Sequence, residues 1–439
     1  MVDRARVSCE SVREVIFPLP LTPAIPSLYN ELETMKRLCW FCCLPLLAIA
    51  ATNPAADAEA RAQALKAKGD AAGALNAYQE AGRLDPRSAR LQDEIGFLLA
   101  VLNRRDEAIA HFQRSLDLDP RYAPAHYHLG VIYWLMQDEG HAMPQLQTAV
   151  ALDPGNAAYH EKLAQALEAK GQLDEALFQY HAATTSNPKD SATWSRFGAA
   201  LQKRGDLKGA VNAYQHAVEL EPDNVNSRIN YGMVLVNTRR PEDGIAQFQK
   251  VLAADPGNES AQLNIGFAYL QKRELDRAIT VLRALLAKDA NIAPAHYNLG
   301  VALKDKDDLD NARAEFNKAL ALDPQMAEAH YMLGITAWQS GDFDTATKEM
   351  QAAINLRPDY GEAYFMLGTA LKQNGDAAHA EEALRAAIRL EPENPGPYNT
   401  LAQVLRQKGD VEGSRKMFAE GARIKAVKEG ELGTMLTRP

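Results

Sequence analysis

Cysteine is almost missing from this chain. Its four cysteines, Cys9, Cys39, Cys42 and Cys43, all precede residue 44, and the rest of the chain has none. A disulfide framework is thereby excluded for the body of the protein, which leaves either redox compartment open. Cys39-x-x-Cys42-Cys43 has the look of half a metal site, but no second ligand pair follows at zinc spacing. Aromatic residues are scarce at 7%. Positive charge is in deficit: 48 Lys and Arg face 57 Asp and Glu, a net charge of −9. That balance argues against the basic face that nucleic acid requires and favours solubility. There is no strand-like alternation of apolar and polar residues, and no apolar run of the roughly 20 residues that a membrane-spanning helix needs. Apolar content of 46% with 24% charge is ordinary, so disorder is not expected.

What the chain has in abundance is repetition. Pro86, Pro120, Pro154, Pro188, Pro222, Pro256, Pro324, Pro358 and Pro392 fall on a single 34-residue grid, broken only at Ala290. Gly96, Gly130, Gly198, Gly232, Gly266, Gly300, Gly334 and Gly368 fall on a second grid in fixed phase with the first. A period of this length is the signature of an array in which each unit buries its apolar face against its neighbours. Within residues 293–326, Leu299 and Leu303 recur at helical spacing in the first half, and Ala312, Phe316, Ala319 and Leu320 in the second. Each unit is therefore an amphipathic helix pair, here named helix A and helix B.

The order Leu299-Gly300, Leu303, Ala312, Phe316, Pro324 resembles the tetratricopeptide repeat (TPR), whose pattern runs Leu-Gly, aromatic, Ala, aromatic, Pro. The same marks return as Leu333-Gly334, Ala337, Ala346, Met350, Pro358 and as Leu367-Gly368, Leu371, Ala380, Leu384, Pro392. The resemblance implies an all-α, right-handed superhelical solenoid of about eleven helix-turn-helix units. A degenerate capping repeat with its linker occupies 51–88, where Arg61-Ala62 replace Leu-Gly. Ten units then run as 89–122, 123–156, 157–190, 191–224, 225–258, 259–292, 293–326, 327–360, 361–394 and 395–428. Residues 429–439 form a tail, too short for a catalytic domain.

Residues 1–34 carry Pro18, Pro20, Pro23 and Pro26, which exclude a long helix. Lys36-Arg37, an apolar run and Ala48-Ile49-Ala50 then describe a secretory signal peptide over 35–50, with cleavage expected after Ala50. Met35 is the expected start, and 1–34 an untranslated or disordered extension. The alternative is a membrane anchor through 38–51.

Local chemistry punctuates the units. Gly69-Asp70, Gly205-Asp206, Gly341-Asp342, Gly375-Asp376 and Gly409-Asp410 stand between the helices. The Gly suits a left-handed residue ending helix A, and the Asp can accept from the free N–H groups that start helix B. Pro at the unit's end is expected to stop helix B. The Gly inside helix A costs roughly 0.5–1 kcal/mol against Ala, so a close approach of helix B at the partner Ala, such as Ala312, is expected. Weak places are expected in 225–258, with Arg239-Arg240-Pro241 at the turn and Gly244 for Ala, and in 259–292, with Ala290 and Leu285. Pro144, inside a helix B, is expected to kink it at a cost of about 3 kcal/mol.

No catalytic constellation stands out. His126, His160, His296 and His330 share one repeat position, and His160-Glu161 begins an H-E-x-x-H in which Ala164 replaces the second His. No enzyme activity, cofactor or metal is expected. The functional candidates are those the TPR resemblance places on the helix-A face lining a concave groove. Just before the Leu-Gly pair stand Lys162, Arg196, Asn230, Asn264 and Asn298. Beside them lie Tyr297, Tyr331 and Phe365, and a turn further on Trp134 and Trp338. Amides in a row can bond both the N–H and the C=O of an extended peptide, and this row resembles the asparagine ladder of O-linked N-acetylglucosamine transferase. A chaperone-type carboxylate clamp is not supported, because Asn226-Asn230, Ser260-Asn264 and Pro294-Asn298 lack its basic member. The expected function is an exported, non-enzymatic scaffold holding a protein or peptide in the groove. The alternatives are a substrate-recognition partner of a glycosyltransferase or other enzyme on a separate chain, and a membrane-tethered assembly factor.

Overall fold

The computed structural model describes residues 53–436, and of the side chains those up to 429. The extension, the signal segment and the alternative anchor all lie outside the described residues. Among the described residues there are 22 helices in eleven pairs and no strand. The chain divides into two compact bodies, one up to Glu221 and one from Pro222. Within each, helix A packs on its own helix B, helix B packs on the next helix A, and successive A helices touch. This is an all-α helical-repeat solenoid.

The pair Ala293–Asp305 and Leu309–Leu322 is representative. The turn between helices puts one left-handed residue in every repeat. Six are glycines, among them Gly69 (φ 79°) and Gly409 (φ 86°); the others are Asn103, Gln137, Arg239, Arg273 and Asp307, with φ of 58–64°. All eleven lie on one 34-residue grid, so the geometry is demanded by the fold even where the sequence lacks glycine. The five aspartates of the Gly-Asp pairs all cap helix B: Asp70, Asp206, Asp342, Asp376 and Asp410 accept the N–H of Gly73, Gly209, Thr345, His379 and Gly413.

Two expectations need adjustment. The helix-A glycine does meet the partner Ala, whose carbonyl would stand 3.1 Å from a Cβ on Gly96 (Ala108) or Gly368 (Ala380), but a larger neighbour comes closer. A Cβ on Gly300 would stand 2.6 Å from Phe316, on Gly232 2.4 Å from Phe248, and on Gly266 2.6 Å from Leu282. The glycine makes room for the large residue sixteen positions on, which is buried in both bodies. Pro is not the sole terminator of helix B. Where Ala290 replaces it, helix Leu275–Leu286 ends sooner than its fourteen-residue counterparts, with Leu285 fully buried where most repeats have Ala. The helix that carries Pro144 runs unbroken from Glu139 to Leu152. The ring is exposed, and the carbonyl its missing N–H would have bonded belongs to Gly140, which is itself exposed.

Candidate functional site

The site rests on helix A and on how the repeats are tied together, because a side chain used for a tie cannot also hold a ligand. One tie fastens helix A to the linker before it. His126, His160 and Trp194 donate a ring N–H to the carbonyls of Pro120, Pro154 and Pro188, each at 3.0 Å. In the second body the Gln262 amide N–H, the His296 ring N–H and the Tyr398 hydroxyl donate likewise to the carbonyls of Pro256, Ala290 and Pro392, at 2.8–3.1 Å. The other ring nitrogen of these three histidines, and of His330 at the same position, meets helix B: for His126, His160, His296 and His330, Nδ1 lies 2.6 Å from Gln145, 2.6 Å from Gln179, 2.5 Å from Glu315 and 2.7 Å from Glu349. The histidine position is a structural staple. Sequence reasoning saw the repeat position but not its partners, which the constant spacings of six back and nineteen forward would have revealed.

A second tie uses the ladder position itself. In the first body His128 lies 2.9 Å from Asp93, and Arg196 is ion-paired with Glu161, each pair spanning 35 residues. Asp93 is buried, with His128 ringed by Phe97, Phe112 and Tyr127 at 5.4–5.5 Å between ring centres. Lys162, counted with these as a candidate, is 8% exposed and donates to Gln165 at 2.8 Å. Burial pulls its ammonium down to about 8, with Glu161 opposing that shift and Arg196 adding to it. In the same body Tyr127 and Tyr159 stack at 4.7 Å. Lys162 and Arg196 are thus engaged by other side chains of the protein. Trp134 is half-buried.

The second body differs. The residues 35 positions before Asn264 and Asn298 are Ile229 and Leu263, which offer no polar side-chain group. Asn264 and Asn298 are half-buried and Asn230 is exposed, and none of the three side chains has a hydrogen-bond partner among the described residues. Spaced 34 apart, they stand at the same place on three successive A helices, each with two donors and an acceptor uncommitted. Tyr297 and Met332 pack half-buried on one core cluster, and Tyr331, Tyr360 and Met366 on the next. Burial pushes the Tyr297 phenol up, helped by Glu328, and it remains neutral. Tyr331 lies 4.8 Å from Tyr360, whose ring also carries the Arg357 guanidinium at 3.4 Å. Phe365 sits over Gly396, where a Cβ would come within 3.0 Å of the ring. Trp338 packs on Ala337, Ala346 and Ala370 with its indole N–H buried and unpartnered. Of the ten candidates, Lys162 and Arg196 in the first body are thus held by other side chains, whereas in the second body the three amides are uncommitted, and Tyr297, Tyr331 and Phe365 continue at the adjacent register position from the last of them onward. The spacing of 35 was a signal that could have set Arg196 apart from Asn264 and Asn298.

No group of three or more metal-ligating side chains occurs among the described residues, and no helix there is long and apolar enough to cross a membrane.

The comparisons with known proteins fit this architecture. Tetratricopeptide repeat profiles match residues 98–137, 123–156, 141–191, 263–327, 331–395 and 365–426. The profile of the cytochrome c-type biogenesis protein H TPR domain matches 181–293. Taken together the matches reach from 98 to 426 and leave out only 328–330. A tetratricopeptide repeat protein from Parabacteroides merdae superposes with a TM-score of 0.52 at 15% identity, over 57% of this chain and 98% of that one. Yeast Tom70 gives 0.44 at 17% identity, over 88% and 96%. MamA gives 0.37 at 26% identity, over 38% and 97%. No curated protein matches the sequence.

Proposed function

Because the chain belongs to the tetratricopeptide repeat family, we propose that it is a non-enzymatic scaffold that holds an extended protein segment along the A helices of its second body. The observation that carries this reading is the unpartnered row Asn230, Asn264 and Asn298. Amides bond a main chain without regard to its side chains, and Tyr297, Tyr331 and Phe365 supply aromatic anchoring area beside them. Lys162 and Arg196, held by Gln165 and Glu161, shape the first body and contribute less to a ligand.

The test is a pull-down from the source cell to identify the partner, then calorimetry on wild type and on the triple variant Asn230→Ala, Asn264→Ala, Asn298→Ala. Each amide is worth about 1 kcal/mol, so the triple variant should bind roughly a hundredfold more weakly or worse while its far-UV circular dichroism is unchanged. Equal affinity in a folded triple variant rules the row out as the binding site.

A second reading is a membrane-tethered assembly factor, whose assembly role is favoured by the likeness of 181–293 to the cytochrome c-type biogenesis protein H TPR domain. The signal-like segment 35–50 supports export under either reading. N-terminal sequencing of the native protein is expected to begin at Ala51; a chain starting at Met1 or Met35 would show that the segment is kept and favour tethering.

A further inference from the structure

Ten repeats bury the large helix-B residue that faces the next repeat: Tyr78, Phe112, Leu146, Tyr180, Tyr214, Phe248, Leu282, Phe316, Met350 and Leu384 are all 0–2% exposed. In the repeat 395–428 the corresponding Phe418 is 40% exposed, and Val411 is 53% exposed. Among the described residues no further helix A covers them, for a reason visible in the helix itself. Other B helices have 12–14 residues and end before an Asp-Pro-like linker that lets the chain turn back. The helix Val411–Leu436 has 26 residues and runs straight through Lys425-Ala426, the place of that linker. No turn forms there to bring a further helix A over Phe418.

Residues 411, 415, 418, 422, 426 and 429 lie within one narrow stripe of the helix, since about 3.6 residues make a turn. All six are exposed. The stripe is the one that Ala377, Leu384 and Ile388 of the preceding helix B turn toward the core shared with Leu401 and Leu405. It is also complementary to itself. Ala422 is its centre. Phe418 and Ala426 lie equally far on either side, a large residue and a small one. Arg415 and Glu429 lie equally far beyond them, opposite in charge. Arg415 has no ion pair among the described residues, and Glu429 has only a contact of 3.8 Å with Lys425 on its own helix.

We propose that this helix pairs with the same helix of a second copy, antiparallel, about a two-fold axis at Ala422. Each Phe418 then rests on the Ala426 of the other copy, and each Arg415 meets the Glu429 of the other copy. The arrangement is isologous and closed, so it stops at a dimer. The opposed helix directions also bring unlike helix ends together. One helix pair is a small interface, so dissociation belongs in the micromolar range.

The experiment is light scattering on the full chain across that concentration range, with Arg415→Glu, Glu429→Arg and their equimolar mixture. Both residues are exposed, so the fold is kept, as circular dichroism would verify. Wild type should pass from monomer to twice the monomer mass as concentration rises. Each single variant should stay monomeric where wild type is dimeric, because two like-charge pairs replace two unlike ones. The mixture should recover the dimer, since a chain carrying Arg415→Glu and a chain carrying Glu429→Arg oppose unlike charges at both ends of the stripe. A wild type that is monomeric throughout, single variants that dimerise as well as wild type, or a mixture that does not recover would each overturn the proposal. The second outcome would point to a contact elsewhere or to a parallel pair, in which like positions meet in wild type and single variants alike.

Discussion

At the scale of the residue, the protein is governed by where a side chain cannot be. Gly300 gives up about 1 kcal/mol of helix propensity relative to Ala, and what it secures is the seat of Phe316, which is fully buried. A Cβ placed there would press to 2.6 Å on that ring. Gly300→Ala should therefore destabilise the protein by about 1–3 kcal/mol, the range for overpacking, despite the gain in propensity. Urea unfolding would decide it, and a higher midpoint would show that the ring simply moves aside. Ala164 already stands opposite Tyr180, and Ala402 opposite Phe418, so the lower half of that range is the better expectation. The glycine grid was legible in the sequence; its cause was not, because period alone does not say which of two helix-B residues comes closest. The same limit applied to the ladder. Asn264 and Arg196 occupy one register, but the structure tells them apart, because a tie to the neighbouring repeat depends on a residue 35 positions away, Glu161 before Arg196 and Ile229 before Asn264.

At the scale of the element, turns and caps were legible in the five Gly-Asp repeats, and not where Asn103, Gln137, Arg239, Arg273 or Asp307 takes the left-handed place. Gly-Asp pairs gave left-handed residues followed by capping aspartates, as their chemistry requires. Helix ends were less so, since packing overrides a local stop signal. The helix before Ala290 ends without a Pro, and the helix through Pro144 continues despite one. Pro144 persists because Gly140, whose carbonyl it leaves free, is exposed to water, and because flanking Ala142, Met143 and Leu146 are buried and hold the helix in place. The intrinsic penalty remains. Pro144→Ala should stabilise the repeat by about 1–3 kcal/mol, a large share of the roughly 3 kcal/mol that separates Pro from Ala in a helix interior. Slower amide exchange over 139–152 and a raised thermal midpoint would accompany it. No change in either would mean that the surrounding repeats, not the helix, set the local stability.

At the scale of the whole molecule, stability is a sum of repeat terms and nearest-neighbour terms, so the weakest repeats decide where the array opens. Whereas repeats 89–122 and 293–326 carry the first two of three costs in single units, through Asn103 with Arg104 and Asp307 with Asp308, repeats 225–258 and 259–292 combine all three between them in adjacent units. Their turns put Arg239 and Arg273 in the left-handed region at φ 62° and 58°, which costs a non-glycine residue about 1 kcal/mol or more. Their B helices start at Arg240 and Glu274 without a side-chain cap, forgoing about another 1 kcal/mol each. The second of them also has the shortened helix ending at Leu286. The repeats around 191–224 and 327–394 have glycine at the turn and capping aspartates at Asp206, Asp342 and Asp376. Hydrogen exchange under native conditions should accordingly be fastest in 225–292 and at the frayed start near residue 55, with the glycine-turned repeats best protected. The cause can be separated from mere position in the chain. Arg239→Gly and Arg273→Gly remove the backbone strain without touching any packed side chain, and together should slow exchange across 225–292 by several-fold, as expected for a gain of about 1 kcal/mol. Uniform protection in wild type would contradict the additive picture, and an unchanged rate in the double variant would transfer the weakness from the turns to the missing caps. Asn230 and Asn264 lie inside this stretch and Asn298 just beyond it. A segment bound along that row would add its binding energy to the least stable repeats of the array, so ligand protection should be greatest there.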